Sequence, residues 1–312
     1  MTGTIILPYS AKRVTRTDLD EIGARIARRA PLVSFQPFDV AFPPAWLEGP
    51  FRAPVVTVTL NVTGAKRLLK RVPGPKYVAA NPTKLALLKH LAASGLPVPV
   101  SAPLTESFTP DPAQFGPYLT VKTMAPGTSR AKGIVSLKTA DFAGQRAKLL
   151  KTYAEEIAAG HRPIVQRYVP TGKRPTHVRV SCVFGRAVVS FRTTAPKPFD
   201  PESMRGIVGG VSTSNAAATR SRTLEAEAEV VELGERAAKA FPDIPVIATD
   251  IIRASDTGQL FCLEANVGNL AALSAPICDE LRADLGGQAL LDQFGAYDVI
   301  AETFLEKLEA AR

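Results

Sequence analysis

Cysteine is scarce in this 312-residue chain: Cys182, Cys262 and Cys278 lie far apart, and none forms a CxxC pair. Such usage excludes a disulfide scaffold and finger-type zinc spacing, and leaves structural thiols in a reducing compartment. No apolar run reaches the ~18–20 residues that a membrane span needs. The opening "MTGTIILPYSAKRV" has an apolar stretch too short for a secretion signal, and its basic residues follow that stretch instead of preceding it. It reads as a first strand, with the cytoplasm as the expected location. Aromatic residues make up only 7% and are not interleaved with the basic ones, and neither helix-turn-helix nor finger spacing occurs, so nucleic acid is a disfavoured partner. A Walker A run is absent, as is a GxGxxG after the first strand, which disfavours P-loop and dinucleotide-binding proteins.

What is present is positive charge. Lys and Arg number 38 against 29 Asp and Glu, a formal +9 with a pI near 9.6, so the partner is expected to be anionic: nucleic acid, a nucleotide or an acidic small molecule. A hydrophobic content of 46% with 21% charged residues describes a globular protein, and the length suggests two or three lobes. "TIILPY" reads as a strand, "TDLDEIGARIARRA" as a helix capped at Thr17 or Asp18, "PVVTVTLNV" as a buried strand and "TGAKRLLKRV" as a short basic helix. This alternation predicts a small α/β lobe over residues 1–80. "NPTKLALLKHLAASG" predicts a helix opened by Asn81 and Pro82 and stopped by Gly95. "YLTVKTM" reads as a strand and "TADFAGQRAKLLKTYAEEIAAG" as one or two helices. "THVRVSCVFGRAVVSFRTTA" predicts a hairpin turning at Gly185, residues 200–222 a Gly- and Ser-rich mobile loop, and "TLEAEAEVVELGERAAKAF" an amphipathic helix.

Two places carry chemistry. In "LFCLEANVG", Glu264 and Asn266 are two residues apart on a strand and project from one face, a pair of oxygen donors suited to Mg²⁺. Asp250 lies mid-strand in "VIATDIIRA", where an unpaired carboxylate would be costly to bury. If the two strands pair around "DTGQ", Asp250 falls near Glu264 and Asn266. The second place is "YLTVKTMAPGTSRAKG": Lys122 on an apolar strand, then a loop from Gly127 to Gly133 holding Thr128, Ser129, Arg130 and Lys132, which can offer amides, hydroxyls and charge to a polyphosphate.

Taken in order, these segments resemble the ATP-grasp superfamily, most closely the ribosomal-S6-modifying type of glutamate ligase, over roughly residues 77 to 270. "NPTKLALLKHLAASGLPVPVSAPL" is similar to that family's Asn-x-x-Lys helix with its Gly-x-Pro-x-Pro, and "YLTVKTMAPGTSRAKGIVSL" to its lysine strand and phosphate loop. "PIVQRYVP" resembles its hinge strand, "HVRVSCVFGRAVVSFR" the strand pair ending in an arginine, and "ATDIIRASDTGQLFCLEANVG" the closing metal-binding hairpin. The resemblance implies an α/β chain of the ATP-grasp fold: an N-terminal lobe over 1–80, a central subdomain with the phosphate loop over 81–165, and a C-terminal subdomain with the metal site over 166–312, the last two clamping ATP.

The resemblance also implies roles. Lys84 and Lys122 would contact the phosphates with Gly127, Ser129, Lys132 and Gly133. Gln166, Arg167, Tyr168 and Val169 would line the adenine and ribose pocket. Arg179 and Arg192 would bind the substrate carboxylate or the acyl phosphate. Asp250, Glu264 and Asn266 would hold one or two Mg²⁺ (or Mn²⁺) ions. The implied activity is an ATP-dependent carboxylate–amine ligase using small-molecule or peptide substrates, with no membrane partner and a homodimer left open. Alternatives are a ligase making ester or amide links in a precursor peptide, and a kinase on the same fold. Departures from the pattern are Arg167, where a Glu often follows the Gln, His177, two before Arg179 in place of an acidic residue, and the missing proline after Asn266. His177 is either a structural hydrogen-bonder or part of an altered acceptor site, and residues 205–215 are expected to close over the acceptor.

Overall fold

The computed structural model describes residues 1–12, 14–60, 69–79, 82–124, 133–209, 221–268 and 278–312. Three sheets organise them. The first is parallel, in the order β2-β1-β3-β4, with β1 at Gly3–Tyr9, β2 at Val33–Asp39, β3 at Val55–Val58 and β4 at Lys76–Tyr77. Helix α1 (Arg16–Arg29) packs on it. Its cap is Thr15, not Thr17 or Asp18: the Thr15 hydroxyl accepts from the Asp18 N–H, and the Asp18 carboxylate accepts from the Thr15 N–H, a capping box. β1 is buried from Gly3 to Pro8 because both faces are covered. Ile5 and Leu7 pack with α1 and with the C-terminal helix α9 (Ala296–Glu309), while Ile6 packs with Phe38, Leu47 and Leu69. The first lobe is thus completed by a helix from the far end of the chain. Of the expected basic helix over 63–72, residues 63–68 lie outside the described residues.

The second sheet is antiparallel, in the order β11-β7-β6-β8-β5: β5 is Ser101–Pro103, β6 Tyr118–Lys122, β7 Ile134–Lys138, β8 Ile164–Arg167 and β11 Val208–Gly209. Its alternation is clean. Leu119, Val121, Leu137 and Val165 are fully buried against α4 (Phe142–Thr152), with Tyr153 between that helix and α5 (Ala154–Ala158). The opposite face carries Thr120, Lys122, Ser136, Gln166 and Ser101 as cross-strand neighbours.

The third sheet is antiparallel in the order β12-β10-β9-β13-β14, with β9 at Thr176–Val183, β10 at Arg186–Thr194, β12 at Ser221–Leu224, β13 at Val246–Arg253 and β14 at Leu260–Val267. Phe184 and Gly185 both take positive φ (46° and 81°), the requirement of a two-residue hairpin turn. Helix α6 (Ala228–Lys239) lies on one face so closely that a Cβ on Gly234 would sit 2.5 Å from the Val180 Cβ. It starts later than its sequence pattern suggests because Ser221–Leu224 pairs with β10 as β12. Helix α2 (Lys84–Ala93), capped by Thr83 and ended at Gly95 with φ +73°, packs its Leu87 and Leu91 into the same core, so the segment after residue 81 joins the third sheet before the chain enters the second. Among the described residues no helix is long and apolar enough to cross a membrane.

Candidate active site

The β13–β14 hairpin pairs Asp250 with Glu264 and Ala248 with Asn266. A bulge after Asp250 makes this possible: Ile251 faces Cys262, so Leu263 is the extra residue, and it shifts β14 by one. On its other side Asp250 pairs with Arg179 of β9. Glu264, Asp250 and Arg179 therefore form one row across three strands, with Asn266 and His177 on the same face.

The row is tied by charge. Arg179 donates from Nε to Asp250 Oδ1 and from Nη2 to Oδ2, both at 2.7 Å, and His177 Nε2 stands 4.0 Å from Oδ1. Burial works to raise the Asp250 carboxyl, but Arg179 and then His177 outweigh it and hold the group below the usual carboxylate range. Burial opposes the charge on Arg179 as well, and Asp250 more than compensates. Lys84, the first residue of α2, places Nζ 3.2 Å from Glu264 Oε2. Lys122 reaches in from the second sheet. Burial pushes its ammonium down to about 8, with Lys84 adding to the effect and Glu264 and Asp250 opposing it. Three cations thus surround two carboxylates, a surplus of positive charge suited to a polyanion.

Asp250, Glu264 and Asn266 supply two carboxylates and one carboxamide. That oxygen-rich set fits a hard cation such as Mg²⁺, which binds through one or two carboxylates and shares the rest of its shell with water and phosphate. The buried Asn266 Nδ2 has no hydrogen-bond partner among the described residues. Among the described residues no group of three His, Cys, Asp or Glu side chains assembles into a metal site, so the amide is needed to complete the set.

Two expected site residues are placed elsewhere. Arg192 was expected to bind the substrate carboxylate or the acyl phosphate with Arg179, but a bulge between Ala187 and Val189 shifts β10 so that Arg192 pairs with Val178 and Phe191 with Arg179. Arg192 consequently projects from the α6 face, where Glu225 accepts from its Nε at 2.8 Å and from its Nη2. Arg167 was expected among the residues lining the adenine and ribose pocket; it pairs with Leu119, on the face opposite Lys122. Gln166 does share the Lys122 face, but it is buried and its Nε2 donates to Ser101 Oγ at 2.9 Å. Tyr168 packs edge-on against Tyr118 and Phe199, and Val169 is buried with Ile252 and Phe261. Gly133 has φ +70°. Gly127, Ser129 and Lys132 lie outside the described residues, as do positions 210–215 of the expected acceptor loop. The sequence reading missed the direct Arg179–Asp250 clamp, although the cost of a lone carboxylate in "VIATDIIRA" was the signal for it.

This architecture, two antiparallel sheets facing each other across a charged cleft beside a parallel lobe, is the ATP-grasp fold. No protein-family model and no curated protein matches the chain, but solved structures do. D-cycloserine synthetase DcsG is similar with a TM-score of 0.57 at 14% identity, covering 98% of this chain and 100% of that one. ATP-grasp ligase PsnB, complexed with minimal precursor, Mg and ADP, gives 0.55 at 15% identity over 98% of both chains. D-alanine–D-alanine ligase from Bacillus anthracis, complexed with ATP, gives 0.50 at 14% over 99% of both.

Proposed function

We propose that the protein is an ATP-dependent carboxylate–amine ligase that forms an amide through an acyl phosphate and releases ADP and phosphate. The observation that carries this reading is the row Glu264–Asp250–Arg179, with Asn266 beside it and Lys84 and Lys122 facing it. The likeness to proteins named synthetase or ligase, one complexed with ATP and another with Mg and ADP, supports it at the level of the fold.

Phosphoryl transfer is driven by positioning and charge neutralisation. Lys122 and Lys84 stand where they can draw a triphosphate toward the hairpin. Asp250, Glu264 and Asn266 would hold Mg²⁺, which supplies charge neutralisation at the phosphates when bound. Arg179 uses Nε and one Nη2 hydrogen on Asp250, which leaves three of its five N–H donors for the carboxylate being activated. A carboxylate is a poor electrophile until phosphorylated. Once it is, an amine that attacks the acyl carbon displaces phosphate and leaves an amide, provided water is kept out.

The test is incubation of purified protein with Mg-ATP and pooled carboxylic acids and amines, followed by chromatography and mass spectrometry. ADP together with a product lighter than its two reactants by one water is the expected result. ADP with a product heavier by one phosphate would establish a kinase instead, and AMP would reject the acyl-phosphate route.

A further inference from the structure

Beyond the residues that face the cleft, the structure shows a buttress behind Lys122. The pair Lys122–Ile134 is the last rung of the β6–β7 ladder, and the chain leaves the sheet at Thr123 and re-enters at Gly133. A last rung has no neighbour beyond it to resist fraying. Here both chain ends are tied to one turn at the junction of α4 and α5. The buried Tyr153 hydroxyl donates to the Gly133 carbonyl at 2.7 Å and lies 3.4 Å from the Val121 carbonyl. The buried Thr123 hydroxyl donates to Glu156 Oε2. Exit and return are so close that a Cβ on Gly133 would lie 3.3 Å from Thr123 Cβ and Cγ2. A buried tyrosine hydroxyl needs some partner, but these bonds fall on the residues immediately before and after Lys122 and on Gly133, the residue before its cross-strand partner Ile134.

We propose that Tyr153 and Glu156 are positioning residues of the nucleotide site: they clamp Val121, Thr123 and Gly133 so that Lys122 is held toward Glu264 and Asp250. The inference rests on the ATP-dependent reading above. Loss of the clamp lets the last rung fray, and displacements near 1 Å in a preorganised site cost up to about 100-fold.

The experiment is calorimetric titration with Mg and a non-hydrolysable ATP analogue, so that binding is read without any ligase substrate. Tyr153→Phe and Thr123→Val are expected to weaken binding by roughly 10- to 100-fold, and Thr123→Ser, which keeps the hydroxyl, is expected to bind like the parent. Melting temperatures and circular dichroism are recorded alongside. Parent-like affinity in both hydroxyl-deleting variants would overturn the clamp while leaving the ATP reading intact. So would a Thr123→Ser loss equal to that of Thr123→Val, or a loss that tracks a general fall in melting temperature. No binding by the parent protein would overturn both readings.

Discussion

Asp250→Asn and Glu264→Gln make the same chemical change on the two facing residues of one hairpin rung, yet the structure gives them different costs. The Arg179–Asp250 pair is bidentate, with side chains 24% and 13% exposed. Removing one partner of a fully buried pair costs about 3–5 kcal/mol; partial exposure, and an amide oxygen that still accepts one bond, bring the expectation for Asp250→Asn to about 2–3 kcal/mol. In a chain this long that is a fall in melting temperature on the order of 3–5 °C. The Lys84–Glu264 pair is single and its lysine is 40% exposed, so Glu264→Gln is expected to cost about 0–1 kcal/mol. Both variants lose an anionic oxygen from the proposed cation set, and both should lose the Mg-dependent part of nucleotide affinity. Calorimetric melting of the nucleotide-free proteins and titration with and without Mg²⁺ check the two halves separately. Equal melting temperatures for the two variants would refute the clamp assignment, and Mg-dependent binding by either would refute the cation set.

Two further outcomes are expected. Because the Lys122 ammonium is pushed down to about 8 from 10.5, the unfolded chain binds more protons than the folded one between those values, so this group's contribution to the stability of the nucleotide-free protein rises with pH through that window. Under the proposed function, a bound nucleotide's phosphates would restore the charge. Affinity should fall as pH rises through about 8, and titration at pH 8.5 in buffers of different ionisation enthalpy should show proton uptake that Lys122→Met abolishes; uptake unchanged in the variant would remove Lys122 from the site. Gly234→Ala places a Cβ 2.5 Å from Val180, which should cost about 1–3 kcal/mol by thermal melting, with part recovered by adding Val180→Ala; a neutral Gly234→Ala would contradict the α6 packing.

Strand and helix identities were legible where side-chain period is decisive: "TIILPY", the "DTGQ" hairpin and the Gly185 turn all stand where the pattern puts them. Face assignment was legible only where no residue interrupts the alternation. Counted from the "DTGQ" turn without a bulge, Asp250 would face Leu263; counted from the Gly185 turn, Arg192 would face His177. One extra residue in each hairpin inverts the parity, which brings Asp250 to Glu264 and sends Arg192 to Glu225. Single bulges leave little trace in composition, because the same residues serve either register. The return of α9 to the first sheet was equally hidden, since its apolar stripe shows that it packs without naming its partner. Lys122, Asp250, Glu264 and Asn266 stood out as candidates because charge or amide on an otherwise apolar strand requires a reason, whereas Lys84 was singled out by the family resemblance alone.

The core that joins Ile5 and Leu7 of the first sheet to Phe304 and Leu308 of α9 continues without a break into Val183, Val189, Phe191 and Val246 of the third. The second sheet has a core of its own. Arg179, Asp250, Glu264 and Asn266 are carried by the larger body, and so is Lys84, through the leucines of α2. Among the described residues of the cluster, Lys122 alone is carried by the smaller. Any widening of the cleft would therefore withdraw, among the described residues of the cluster, a single positive charge from the arrangement of the others. On the proposed function, grip on a polyanion and closure of the cleft would become one mechanical coordinate, read out at one ammonium group.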